Sequence, residues 1–155
     1  MIVISEPEAL TLLIQAGVEQ MLEKLYGEVV LPESAYEMIL ASYPCLPGFV
    51  RMEPVPDTEE VQSLSSRLGR EQAGAIVLAK ERGAYLLVHN RNETNLHSVA
   101  LKEGIRSIDL PGVLVFAKRL GIIDSVRTLT ARFESIPGFC LSDETKQLMF
   151  QTAGE

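Results

Sequence analysis

Two short stretches place reactive residue types directly after apolar runs. Ser5-Glu6 follows residues 1–4, and His89-Asn90-Arg91 follows residues 84–88. A carboxylate, an imidazole, an amide and a guanidinium at such points can do acid–base work, hold a divalent cation or grip a phosphate. Each also has an ordinary structural use. Glu6 and Glu8 fall in the first turn of an expected helix, where acids favour the helix dipole. A lone histidine after a buried strand is commonly a hydrogen-bonded structural residue, and His97 has still less to recommend it. Other chemistries lack their residues. Cys45 and Cys140 form no C-x-x-C pair, which excludes a zinc ribbon, and they read as core or loop residues. There is no G-x-G-x-x-G, P-loop or G-x-S-x-G pattern.

The elements that would position these residues follow from apolar runs and turn formers. Residues 1–4, 27–31, 84–88 and 105–108 read as strands, and 49–54 as an edge strand closed by Pro54 and Pro56. Ser5-Glu6-Pro7-Glu8 has the S-x-x-E spacing of a capping box with proline in the first turn. Gly17 separates two helices, and another helix starts at Glu33. Asp57-Thr58-Glu59-Glu60 caps a further one. Helices are expected over 70–82, ended by Gly83, and over 93–103, 110–120, 124–135 and 142–152. Strands alternating with helices imply a parallel sheet covered on both faces, a three-layer α/β/α architecture in a single domain spanning 1–155. In such open sheets ligands bind beyond the carboxyl ends of the strands, which is where Ser5-Glu6 and His89-Asn90-Arg91 lie.

Composition bounds the partners. The chain has 155 residues, 46% hydrophobic, enough for a core without disulfide or metal staples. It contains no apolar run long enough to span a membrane. The start MIVISEPEAL lacks the basic region and cleavage site of a signal peptide, so a cytoplasmic location is expected. The net charge of −7 argues against nucleic-acid binding over the whole surface. Residues 1–66 carry two bases against eleven acids, residues 67–132 eleven bases against six acids, and 133–155 one base against four acids. The middle block, at +5, is where a polyanion could dock, if its bases share a face rather than only a stretch of sequence.

The segments MIVISEPEAL, EVVLPESAYEMIL, RLGREQAGAIVLAKERGAYLLVHNR and GFCLSDETKQLMFQTAGE resemble the PIN-domain family, metal-dependent ribonucleases that include VapC-type toxins. The resemblance implies four acids at the strand ends holding one or two magnesium or manganese ions. The metal lowers the pKa of bound water and stabilises charge on an attacked phosphodiester. Carried over by position, the first acid is Glu6, one methylene longer than the usual aspartate, and the second is Glu37. The third position is altered. Where the uncharacterised PIN-like branch that the chain most resembles writes G-E-x-E-A-I, this chain has Glu71-Gln72-Ala73-Gly74-Ala75-Ile76, so Gln72 and Gly74 stand at acid positions and Glu71 is displaced by about 100° of helix rotation. The fourth position holds His89-Asn90, of which Asn90 offers one neutral oxygen.

The resemblance thus implies catalytic positions Glu6, Glu37, Glu71, Gln72 and Asn90. Glu6, Glu37 and Asn90 would be the ligands of at most one weakly held magnesium or manganese ion, or of none. Ser5 and Arg91 would meet substrate. The implied reading is a nucleic-acid-binding PIN-like domain with impaired or lost catalysis. The alternatives are an active ribonuclease toxin and a protein-binding module, and a third is a Rossmann-like domain whose likeness is topological only. Implied partners are RNA, an antitoxin-like protein and a second copy of the chain.

Overall fold

The computed structural model describes residues 1–89 and 95–155. Five strands, β1 (Ile2–Ile4), β2 (Val29–Pro32), β3 (Val50–Glu53), β4 (Tyr85–Val88) and β5 (Ser107–Asp109), form one parallel sheet in the order β3-β2-β1-β4-β5. The three inner strands are apolar and covered on both faces, so they read as continuous apolar runs. Successive side chains still choose opposite cores. Ile2, Ile4, Val29, Leu31 and Leu87 face one, and Val3, Val30, Leu86 and Val88 face the other.

The first core is closed by α1 (Pro7–Gln15), α2 (Gln20–Tyr26), α3 (Glu33–Ser42), α7 (Leu110–Arg119), α8 (Val126–Glu134) and α9 (Asp143–Ala153). The second is closed by α4 (Glu59–Leu68), α5 (Arg70–Arg82) and α6 (Leu96–Lys102). Helix, sheet and helix make the three layers that the alternation predicts, with β3 on the expected edge. Fully buried side chains such as Leu10, Leu22, Ile76 and Phe133 contribute about 1.5–3 kcal/mol each. No described helix is long and apolar enough to cross a membrane.

Local signals mostly hold. Pro7 opens α1, Thr58 caps α4 by accepting from Val61 N at 3.3 Å, and Gly83 ends α5 in the left-handed conformation at φ 61°. One signal fails. The expected capping box at Ser5 is absent, because Glu6 is the N-cap of α1 and makes no side-chain cap. Ser5 is instead buried, and its hydroxyl donates to the Leu87 carbonyl at 2.9 Å, tying β1 to β4. A lateral partner in the sheet outcompetes the local one.

Candidate functional site

Strands β2 and β4 lie on opposite sides of β1, so the sheet changes winding direction between β1 and β4. A crevice opens at the carboxyl ends of such a strand pair. Ile4 faces Leu87 in register, which brings Glu6 level with His89 just beyond the strand ends. Glu6 Oε2 accepts a hydrogen bond from the His89 backbone N–H at 3.0 Å, and Glu6 Oε1 accepts from Gln72 Nε2 at 3.2 Å. Three elements distant in sequence are thus joined by one half-buried carboxylate.

Glu37 and Glu71 do not join that group. They line a neighbouring cleft of about 340 Å³ with Glu33, Ser34, Val55 and Arg70. The one-residue rotation on α5 sets the Gln72 amide against Glu6 and leaves Glu71 lining the cleft with Glu37. Gly74, the other position where an acid is implied, lies beneath Val55. A Cβ built there would fall 2.5 and 2.7 Å from the two Val55 methyls. Any side chain at this position collides with Val55 as it is packed.

Ser5, expected at the substrate, is buried with its hydroxyl committed to the Leu87 carbonyl. Asn90 and Arg91 lie outside the described residues. The His89 ring meets Phe139 edge-on at 6.3 Å between centroids, a packing contact. His97 Nδ1 forms a short hydrogen bond with Ser107 Oγ, linking α6 to β5.

Asp109 escaped the sequence reading although the strand-end rule applies to it. It closes β5, in register with Val88, and caps α7 by accepting from Gly112 N at 3.0 Å. The signal was Asp109 two positions before Pro111, a cap followed by a first-turn proline. Asp109 and His89 head a larger cleft of about 850 Å³ that runs between α7 and α9, walled by Val115, Phe139, Leu148 and Met149.

Among the described residues, many bases of the middle block are engaged locally. Lys80 bridges Glu60 and Glu103, Arg82 pairs with Glu53, and Lys118 bonds the Asp124 carbonyl. Arg106 stacks on Tyr85, Arg127 stacks on Phe150, and Arg132 donates to the Ala16 carbonyl. Arg67 and Arg70 differ. Both are exposed at the α4–α5 junction, Arg70 lines the Glu37–Glu71 cleft, and neither has an ion-pair partner among the described residues.

Among the described residues, no three His, Cys, Asp or Glu side chains gather closely enough to hold a metal ion. No curated protein and no solved structure matches the chain. A family profile does: the PIN domain family DUF3368 matches residues 2–155. The match covers all five strands and every helix described above, and the strand-end carboxylate sits at the crossover of the sheet. The chain belongs to the PIN-domain family.

Proposed function

We propose that this chain is a nucleic-acid-binding PIN protein, derived from a metal-dependent endoribonuclease, in which catalysis is impaired or lost. The observation that carries this reading is the Glu6 carboxylate, whose two oxygens meet N–H donors rather than neighbouring acids. Two-metal phosphodiester chemistry needs ions about 3.5–4 Å apart, bridged and held by several carboxylates. The donor set among the described residues does not fit that arrangement. Gln72 contributes an amide, Gly74 has no room for a side chain, and Glu37 and Glu71 share their cleft with Arg70 rather than the hydrogen bonds of Glu6.

Losing acids makes a phosphate easier to admit. Two like charges 4 Å apart repel by about 4 kcal/mol at an effective dielectric of 20, so each acid removed from the floor relieves a cost of that order. The exposed Arg67 and Arg70 at the α4–α5 junction supply attraction. Titration of labelled single-stranded RNA in EDTA tests the reading. Binding that weakens as salt rises, with no cleavage when Mn²⁺ is supplied, is the expected result. Absence of RNA affinity at low salt would refute it and favour a protein-binding module.

A second reading, an active metal-dependent ribonuclease and toxin of a toxin–antitoxin pair, is favoured by the shared cleft of Glu37 and Glu71. Mn²⁺-dependent cleavage that is lost in Glu37→Ala would establish it over the first.

A further inference from the structure

Resting on the reading of an altered PIN site, we propose that the Gln72 amide and the His89 N–H take the place of the divalent cation. Glu6 is then an internal clasp, and the cleft between β1 and β4 keeps its shape without metal.

Each Glu6 oxygen has its own donor, at 3.2 and 3.0 Å. A hydrogen aimed at a carboxylate oxygen supplies the positive partial charge that a cation would otherwise supply. The two donors differ in how firmly they are fixed. The Gln72 amide can turn, but that would set its oxygen against Glu6 Oε1, acceptor facing acceptor. The His89 N–H cannot turn. It belongs to the backbone where β4 ends, and the β1–β4 register holds it opposite Glu6. A cation approaching Glu6 Oε2 from that side meets a donor hydrogen at the position it would need.

Charge count points the same way. With Gln72 neutral and Gly74 without a side chain, Glu6 is the one carboxylate among the described residues of this hydrogen-bonded group. Affinity for hard cations rises with the number of anionic oxygens. The clasp also has a clear mechanical role, because it joins the start of α1, the first turn of α5 and the end of β4. In a metal-dependent site those three elements would separate electrostatically when the ion left. Here the join is permanent, so the site's geometry does not depend on metal supply.

The test is Mn²⁺ titration of the full chain by calorimetry, with thermal melting in EDTA and in Mn²⁺. The unaltered chain is expected to show no stoichiometric uptake and the same melting temperature in both solutions. Gln72→Glu replaces the donor by a second carboxylate beside Glu6. It is expected to bind Mn²⁺ roughly tenfold more tightly or better, and to melt lower than the unaltered chain in EDTA, with recovery as Mn²⁺ is added.

Stoichiometric uptake by the unaltered chain that disappears in Glu6→Gln would overturn the proposal, and this arm needs no Gln72 variant to fold. A folded Gln72→Glu variant with unchanged Mn²⁺ affinity would overturn it as well. RNA binding in EDTA is read separately. Its absence, with no metal uptake, removes the nucleic-acid reading and leaves the clasp. Its presence together with stoichiometric Mn²⁺ uptake removes the clasp and leaves that reading.

Discussion

Replacing Gly74 by alanine should destabilise the protein, although helix propensity alone demands the opposite. Gly74 lies inside α5 and is buried. In a helix interior, alanine is favoured over glycine by about 1 kcal/mol. Against this stands the contact with Val55, whose methyls would lie 2.5 and 2.7 Å from the new Cβ. Carbon atoms in ordinary contact sit about 3.5–4.0 Å apart, so roughly 1 Å of movement is needed. Val55 is β-branched and has few alternative rotamers. Overpacking of this kind costs about 1–3 kcal/mol, which leaves a net loss of about 1 kcal/mol. Truncating Val55 to alanine removes both offending methyls. In that background only the Cβ of residue 55, 3.2 Å away, stays close, so Gly74→Ala should regain the lost stability and gain up to about 1 kcal/mol once that atom gives by a few tenths of an ångström. Urea denaturation of the four proteins, with unchanged slopes, measures the coupling directly. If Gly74→Ala raises stability in the natural background, the packing argument is wrong, and with it the steric reason for the missing acid.

Three further outcomes are expected. Ser5→Ala should cost about 1 kcal/mol in urea melts, because it removes the hydroxyl donor to Leu87; lost RNA affinity without lost stability would return Ser5 to substrate contact. Asp109→Ala should cost about 0.5–2 kcal/mol through loss of the α7 cap, measured in the same way. Glu155 accepts from Ser125 Oγ and from Val126 N at the start of α8, and the Ser125 hydrogen bond foremost holds its carboxyl below the usual glutamate range. A carboxyl lowered on folding contributes stability above its unfolded pKa, about 4.3, and loses it as pH falls through the lower folded value. The stability gap between the unaltered chain and Glu155→Gln should therefore close on acidification below about pH 4, as followed by thermal melts across pH.

The layer architecture was legible because short apolar runs bounded by turn formers alternate with amphipathic stretches. Strand ends therefore fell near their true places, and with them Glu6 and His89. What the letters could not carry was direction in space. Glu71 and Gln72 are neighbours in sequence, yet Gln72 bonds Glu6 while Glu71 lines the cleft with Glu37, and their helical phase relative to β1 and α3 sets the difference. Ser5 fits a capping box in one dimension, but a carbonyl on the adjacent strand captures it. Gly74 looked like a lost ligand, and the closeness of Val55 gives it a packing role that no spacing rule encodes. The basic block dissolved for a similar reason. Its described residues sit on five helices and the loop before β5, and most are spent on nearby acids, carbonyls or rings.

The strand order has a consequence for the chain as it is synthesised. β1 emerges first, yet one of its two neighbours, β4, follows only after α5 has been made. Until then an apolar strand presents unsatisfied backbone groups along one side, the kind of template on which nascent chains stick to one another. Ribosomal products ending before Tyr85 would keep that side open indefinitely. They should be recovered as aggregates or bound to chaperones, whereas chains long enough to include Val88 can cover the gap with their own backbone.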